Sequence, residues 1–303
     1  MNRNKNLIAL LGVITMMTYG LSSCEKAVFD EEGQTEKSQS KSGKNEKGNV
    51  TLRVSTFDIV PFDSEQTRSS VDITTYCSRL NFVVYKDGKK VDYRNQVKGN
   101  SGFGEVSMSL AAGTYQLLVV AHSSLDNPTL SNAENIKFTN ATGYTDTFSY
   151  YGELEVTNEA AVHDITLTRN VSCVRFTVAD DFPDDVMYMS FYYKGGSGVL
   201  NAVTGYGGIV NSEQEKLVKI TGYSTPLTFN LFTFLQSDEA SLYLKVTALK
   251  SDKTTKVLER EFSNIPMKYQ KVTEYTGSFF SHDTGLNLIA DTDWGEPYYH
   301  FDY

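Results

Sequence analysis

Apolar and polar residues alternate with a period of two along most of the chain after Asn49, beginning with Val50, Leu52 and Val54. Successive side chains of a β-strand point to opposite faces, so this alternation predicts strands that bury one face. Segments between the strands show no convincing helical periodicity. The predicted strands cover residues 50–57, 80–85, 106–110, 114–121, 148–156, 162–168, 171–179, 187–194, 227–235, 242–249, 257–262 and 272–280.

Turn residues separate these strands and divide them into two successive sets. Asp87-Gly88 is typical of a hairpin turn, and Ala112-Gly113 separates another pair of strands. The junction Thr168-Arg169-Asn170-Val171 contains no proline or glycine, so the two sets are expected to abut. The composition of 19 Tyr, 17 Phe and one Trp suits strands with half-buried rings. We therefore predict an all-β protein with two β-sandwich domains, at residues 50–169 and 170–303.

The N-terminus has the features of a bacterial lipoprotein signal peptide, here residues 1–23. Arg3 and Lys5 precede an almost wholly apolar run at 7–19, and small residues precede a lone cysteine in Leu21-Ser22-Ser23-Cys24. The run is too short to span about 30 Å of hydrocarbon as a membrane helix. The pattern predicts cleavage between Ser23 and Cys24, and S-diacylglycerol and N-palmitoyl groups on Cys24 that hold the chain on a membrane. A soluble secreted protein whose signal peptide ends near a cysteine is the alternative.

Residues 24–49 are predicted to form a flexible polar tether. Within them, residues 30–49 carry no aliphatic or aromatic side chain and cannot offset their ordering entropy by burial. Loss of residues 1–23 removes two cations and no acid, so the formal net charge falls from −9 to −11. That acidity argues against nucleic acid or anionic headgroups as partners.

Cys77 and Cys173 are the cysteines that remain beside the lipidated one. An exported protein meets an oxidising space, so a disulfide between them is one alternative, and two separate small side chains are the other. Both lie out of phase with the apolar positions of the strands that follow or contain them. If those strands extend that far, the two thiols should face away from the core.

No constellation in the sequence has the spacing that catalysis, a metal or a cofactor requires. The four histidines have no nearby partner of the right type, and the adjacent acids near Pro183, which include Asp180 and Asp181, are typical of solvated turns, with calcium a weaker alternative. The stretch Gly195-Gly196-Ser197-Gly198 lacks the context of a phosphate loop or a nucleophile elbow and is interpreted as a mobile turn. We therefore expect neither an enzyme nor a metal site. The histidines are His122, His163, His282 and His300.

Several short sequence segments resemble, in order and position, those of the fimbrillin superfamily of Bacteroidales. This superfamily comprises the subunits and anchors of type V pili. The lipidated start is similar to that of the FimB-type anchor subunits, and acids at Glu25 and 30–32 resemble a surface-export tag, with plain linker charge as the alternative. The segments are Leu21-Ser22-Ser23-Cys24, residues 110–120 (LAAGTYQLLVV), residues 167–171 (LTRNV) and residues 291–295 (DTDWG).

This resemblance implies two transthyretin-like Greek-key sandwiches and assembly with other fimbrial subunits by β-strand exchange. In shaft subunits a protease cuts after an arginine behind the first strand, and Arg68 lies where that cut would fall. If Arg68 is cut, the lipid and the first strand leave and the chain is a shaft or tip subunit; if it is not cut, the chain anchors a pilus. The uncut form is slightly favoured.

The leading hypothesis is therefore a lipid-anchored protein of the outer membrane, exposed at the cell surface, that anchors or forms part of a fimbrium and supports adhesion. The resemblance names neither the partner subunit nor a host or bacterial surface ligand. The alternative is a stand-alone surface lipoprotein that binds glycan through exposed aromatic residues, with the tail 298–303 (YYHFDY) as the candidate segment. That tail would serve equally well as a donor strand, since alternate rings could fill apolar pockets.

Overall fold

The computed structural model describes residues 49–58, 72–139, 144–208, 212–220, 222, 224–281, 287–289 and 300–301, the last two ranges by their backbone. All described residues belong to one compact unit. Their regular secondary structure consists of strands and one short 3-10 turn at Ile73–Thr75, so the predicted all-β class is confirmed. No helix among them could cross a bilayer.

Eighteen strands occur within these ranges, numbered here in chain order. They are β1 (Val50–Asp58), β2 (Arg79–Lys86), β3 (Lys89–Val97), β4 (Glu105–Met108), β5 (Gly113–His122), β6 (Ile136–Lys137), β7 (Phe148–Val156), β8 (Ala161–Arg169), β9 (Val171–Val178), β10 (Tyr188–Gly196), β11 (Val199–Leu200), β12 (Ser212–Lys219), β13 (Leu227–Phe234), β14 (Glu239–Leu249), β15 (Lys256–Lys268), β16 (Val272–Gly277), β17 (Asn287–Ile289) and β18 (His300–Phe301).

The first sandwich is one seven-stranded sheet, ordered β3-β2-β5-β7-β8-β1-β4, that folds over on itself. β7 and β8 share only two residue pairs, at Phe148↔Arg169 and Ser149↔Thr168, so the sheet turns a corner there. One layer is β3-β2-β5-β7 and the other is β8-β1-β4. Their inward side chains form one hydrophobic cluster that includes Leu52, Phe82 and Leu117.

The second sandwich consists of two separate sheets. One has the order β12-β10-β14-β15 and the other the order β13-β9-β16-β17-β18. Phe176, Phe191 and Leu244 are among the buried residues of the cluster between them. β8 ends at Arg169 and β9 begins at Val171, so Asn170 alone separates the two sets of strands.

A third hydrophobic cluster, called here the interface cluster, joins the two sandwiches. It combines Val83 and Leu118 from the outer face of the first sandwich with Cys173, Phe234 and other residues of the second. β6 also pairs with β11 across this boundary. The two sandwiches therefore share buried surface as well as a short connection.

The burial of Cys77 and Cys173 corrects the expectation that both face away from a core. Cys77 precedes β2, so the alternation of that strand does not apply to it, and its side chain lies in the first core. Cys173 does lie on the opposite face of β9 from Val174, but that face is covered by the interface cluster. Both thiols are free and belong to different clusters, which argues against the disulfide alternative.

The glycines at 195–198 are packed between strands and do not form the mobile turn that their composition suggested. Gly196 is buried at the end of β10, where an added Cβ would lie 2.0 Å from Thr233 Oγ1. An added Cβ at Gly198 would lie 1.9 Å from the hydroxyl of Tyr144. These glycines therefore permit close approach of neighbouring segments.

His122 is a fully buried histidine within a polar network at the end of β5. Its Nδ1 accepts a hydrogen bond from the Ser124 backbone N–H at 3.2 Å, so Nε2 carries the proton and donates to Asn81 Oδ1 at 2.9 Å. Asn81 in turn donates to the side-chain oxygens of Asn95 and Asn127. Burial lowers the pKa of His122 to about 3.

We expect His122 to make folding stability depend on pH. The unfolded chain binds a proton at this residue below pH 6.5, whereas the folded chain stays neutral down to about pH 3. Stability is therefore lost as the pH falls through this window, at a slope of about 1.4 kcal/mol per pH unit. Urea unfolding at pH 7, 6, 5 and 4 should show a steeper loss for the native chain than for His122→Gln. Parallel profiles would contradict this assignment.

Candidate strand-exchange site

β1 occupies an interior position in its layer, between β8 and β4. It pairs in parallel with β8 from Val50↔Ala161 to Asp58↔Thr168, and antiparallel with β4 from Val50↔Met108 to Arg53↔Glu105. The N–H of Val54 continues the contact on the β4 side by donating to the carbonyl of Gly104 at 2.9 Å. Both edges of β1 are therefore hydrogen-bonded. The space it fills between β4 and β8 is called here the β1 slot.

The inward side chains of β1 complete the first hydrophobic core. Val50, Leu52, Val54 and Phe57 are at most 6 % exposed. The Phe57 ring packs edge-on against Phe148 with centroids 4.9 Å apart. Burial of four such side chains stabilises the sandwich by about 6–12 kcal/mol at roughly 1.5–3 kcal/mol each. Without β1, the first core would be open along its length.

The outward side of β1 is held by polar contacts at the surface. The Arg53 guanidinium lies 2.9 Å from Glu105 on β4 and 3.6 Å from Asp164 on β8. Asn49 donates to the carbonyl of Leu110 at 2.7 Å and accepts from its N–H at 2.9 Å. Exposed ion pairs contribute little, so the buried face provides most of the stabilisation of β1.

The segment that joins β1 to the rest of the sandwich contains Arg68. Residues 59–71 lie outside the described residues, as do Ser23 and Cys24. Predicted cleavage at Arg68, signal cleavage and lipidation therefore stay predictions. The structure does place both ends of this segment: β1 ends at Asp58, and Asp72 caps the N-terminus of the 3-10 turn Ile73–Thr75.

Asp180 anchors the chain just before its C-terminal segment. Its carboxylate accepts hydrogen bonds from the backbone N–H groups of Phe279, Phe280 and Ser281 at 2.7, 2.7 and 2.9 Å. This role was missed from the sequence, where Asp180 had the signature of a solvated turn residue. Its partners are about a hundred positions away, so no local pattern could reveal them.

After this anchor the chain adds two short strands to the edge of the second sandwich. β17 pairs with β16 from Glu274↔Ile289 to Thr276↔Asn287, and β18 pairs with β17 at two positions. Most of the predicted donor tail, residues 298–303, lies outside the described residues. The backbone positions of β17 and β18 nevertheless show a sheet edge to which C-terminal strands add.

The remaining candidate residues do not converge on a chemical site. Within the described ranges, no three His, Cys, Asp or Glu side chains are grouped as a metal site would require. Cys77 and Cys173 are removed from solvent, and burial raises the pKa of each thiol to about 12. Neither cysteine has the depressed pKa of a nucleophile.

Solved structures similar to this chain include fimbrial proteins from Parabacteroides distasonis and Porphyromonas gingivalis. A DUF1812 protein from Bacteroides thetaiotaomicron is 10% identical over 82% of this chain and 98% of its own, with a TM-score of 0.47. A fimbrial assembly protein from Parabacteroides distasonis is 13% identical over 79% and 93%, with a TM-score of 0.37. The tip fimbrial protein Mfa3 from Porphyromonas gingivalis is 10% identical over 79% and 98%, with a TM-score of 0.40.

No curated protein matches the sequence. One family model does, over residues 42–302, and this range includes every described strand of both sandwiches. The chain therefore belongs to the DUF6562 family, a family of unknown function.

Proposed function

We propose that this chain is a lipid-anchored protein of the bacterial cell surface that anchors or forms part of a fimbrium, assembled by β-strand exchange and supporting adhesion. The observation that carries the proposal is the β1 slot. The first strand of the sandwich is an interior strand, paired with β8 from Val50 to Asp58 and with β4 from Val50 to Arg53, and the segment that follows it contains the candidate cleavage site Arg68.

The geometry gives strand exchange a physical basis. If β1 left the slot, the backbone groups of β4 and β8 that now face it would lose their partners, and four apolar positions would open to water. Unpaired strand edges and apolar slots both favour the addition of a strand from another chain. A C-terminal strand with alternating large apolar residues would satisfy both requirements.

If β1 stays in the slot, the same chain would act as an anchor. A chain that keeps β1 also keeps the tether and Cys24, so its slot is filled by its own strand and its N-terminus stays lipidated. Such a chain could donate a strand but could not accept one at the β1 slot. The N-terminus of the mature protein therefore distinguishes an anchor from a shaft or tip subunit.

We expect the protein recovered from outer membranes to begin at acylated Cys24, which corresponds to an anchor. The measurement is mass spectrometry of the N-terminal peptide, made in parallel on the native chain and on Arg68→Ala. The anchor assignment requires the same acylated N-terminus in both.

Each other outcome changes the proposal in a defined way. A native chain that begins at Ser69, with Arg68→Ala still acylated at Cys24, would assign the protein to the shaft or the tip. A chain without acyl groups in the soluble fraction, for both forms, would contradict lipid anchoring altogether.

A further inference from the structure

A cleft of about 390 Å³ opens where the two sandwiches meet, beside the interface cluster. Its volume lies within the range of about 300–1,000 Å³ that small-molecule sites occupy. The strand-exchange proposal makes no use of it. The side chains that line it include those of Tyr85, Gln116, Asn132, Glu134, Tyr151 and Val203.

The floor of the cleft is the outer face of the first sandwich. Tyr85 on β2 is the cross-strand partner of Gln116 on β5, and Leu118 on β5 is the partner of Tyr151 on β7. Alternate residues of a strand share a face, so Tyr85, Gln116 and Tyr151 all lie on the side opposite the first core. Leu118, between them, belongs to the interface cluster. Tyr85 and Ala133 belong both to that cluster and to the lining of the cleft, so the cleft opens directly beside the cluster.

The walls come from two loops that are fixed to each other. The backbone N–H of Ala202 donates to the carbonyl of Ala133 at 2.8 Å, which ties the loop of Val203 to the loop of Asn132 and Glu134. Asn132 Oδ1 accepts from the N–H of Glu134 at 2.8 Å, and the pairing of β6 with β11 braces both loops. A site with braced walls loses little conformational entropy when a ligand binds.

Several polar groups in the cleft have no hydrogen-bond partner within the described part of the chain. They are the amide of Gln116, the Nδ2 of Asn132, the carboxylate of Glu134 and the hydroxyl of Tyr151. The hydroxyl of Tyr85 instead donates to the carbonyl of Leu130 at 2.8 Å, and its ring is buried in the interface cluster, so the partly exposed ring of Tyr151 is the aromatic surface that the cleft offers. Planar amide and carboxylate groups can each bind adjacent hydroxyls, while aromatic rings pack against apolar C–H surface.

We propose that this cleft binds a neutral saccharide, with one pyranose ring seated between the ring of Tyr151 and the amide groups of Gln116 and Asn132. A pyranose combines many hydroxyls with C–H faces, which matches the two kinds of group on the cleft. No Lys, Arg or His is among its described lining residues, and Glu134 would repel a carboxylate or sulfate on the ligand. The proposal goes beyond the fimbrial role and does not depend on strand exchange.

The test is titration of the purified full chain, kept in mild detergent, with methyl glycosides of glucose, galactose, mannose, fucose and N-acetylglucosamine. We expect at least one of them to bind with a Kd of about 0.1–10 mM by calorimetry or ligand-observed NMR. Gln116→Ala and Glu134→Ala should each weaken that binding by about ten-fold or more, because each variant removes a side-chain group that would hydrogen-bond to the glycoside.

The matched control is Glu153→Ala. Glu153 is the cross-strand partner of Gln116 on β7 but does not line the cleft, so its removal should leave the affinity unchanged within about two-fold. Three results would each overturn the proposal: no binding of any of the five glycosides, binding that Gln116→Ala does not weaken, or stronger binding of glucuronic acid than of glucose. If a lysine peptide binds but the sugars do not, and Glu134→Ala abolishes binding of the peptide, the cleft is a cation site instead.

Discussion

Replacing Phe234 with alanine is expected to lower the free energy of unfolding by about 3–5 kcal/mol. The side chain is completely buried in the interface cluster. Its ring stacks on Phe138 with centroids 5.4 Å apart and lies 6.1 Å from that of Tyr144. Alanine would leave a cavity between the two sandwiches that the braced loops around it cannot readily close.

The measurement is urea unfolding followed by fluorescence and by limited proteolysis. Leu125→Ala is the matched control, because Leu125 is 66% exposed and its loss should change stability by no more than about 0.5 kcal/mol. We also expect Phe234→Ala to unfold over a broader range of urea, since weaker coupling lets the sandwiches unfold separately. A loss below about 1 kcal/mol would show that the interface cluster contributes little to stability.

Most of the strands could be predicted from the sequence because their inward faces are apolar. Alternation located β1, β5, β7 and β9 within about two residues of their observed ends. Two of the exceptions, β12 and β3, are edge strands. β12 (SEQEKLVK) is largely polar, and its most buried residue is Gln214, so no apolar pattern predicted this strand. β3 is also largely polar and was not predicted as a strand, although the hairpin turn Asp87-Gly88 before it was recognised.

Burial on the second face of a strand could not be predicted from alternation alone. Cys173 was correctly placed out of phase with Val174, but a period of two cannot show that both faces of β9 are covered. The same limit applies to Val83 and Leu118, whose outer face becomes the interface. Which outer faces are covered depends on how the two sandwiches pack, and this is a property of the tertiary structure.

The same limit applies to the candidate sites: features set by residues near in sequence could be predicted, and features set by distant residues could not. The β1 strand and the position of Arg68 behind it could be recognised locally. The partners of β1 could not, because β4 and β8 lie about fifty and a hundred residues further along the chain. The cleft proposed to bind a saccharide had no sequence signal at all, since its residues come from five separate segments.

Replacing Leu52 with aspartate is expected to destabilise the first sandwich by more than about 4 kcal/mol. Leu52 is completely buried at the centre of the β1 slot, so the variant loses apolar burial and places a carboxylate where no charged partner is available from the surrounding cluster. The control is Thr51→Asp on the same strand. Thr51 is partly exposed and its hydroxyl lies 3.2 Å from that of Ser107, so we expect a loss below about 1 kcal/mol.

The same variant tests whether the β1 slot accepts a strand from outside. A synthetic peptide with the sequence of Val50–Asp58, added in large excess, should raise the unfolding temperature of Leu52→Asp, because it supplies the apolar side chains that the altered strand lacks. It should have little effect on Thr51→Asp, whose own strand fills the slot. A peptide carrying the same Leu-to-Asp change should not raise the unfolding temperature of Leu52→Asp. If the native peptide fails to stabilise Leu52→Asp, the slot does not exchange strands under these conditions, and assembly through it is contradicted.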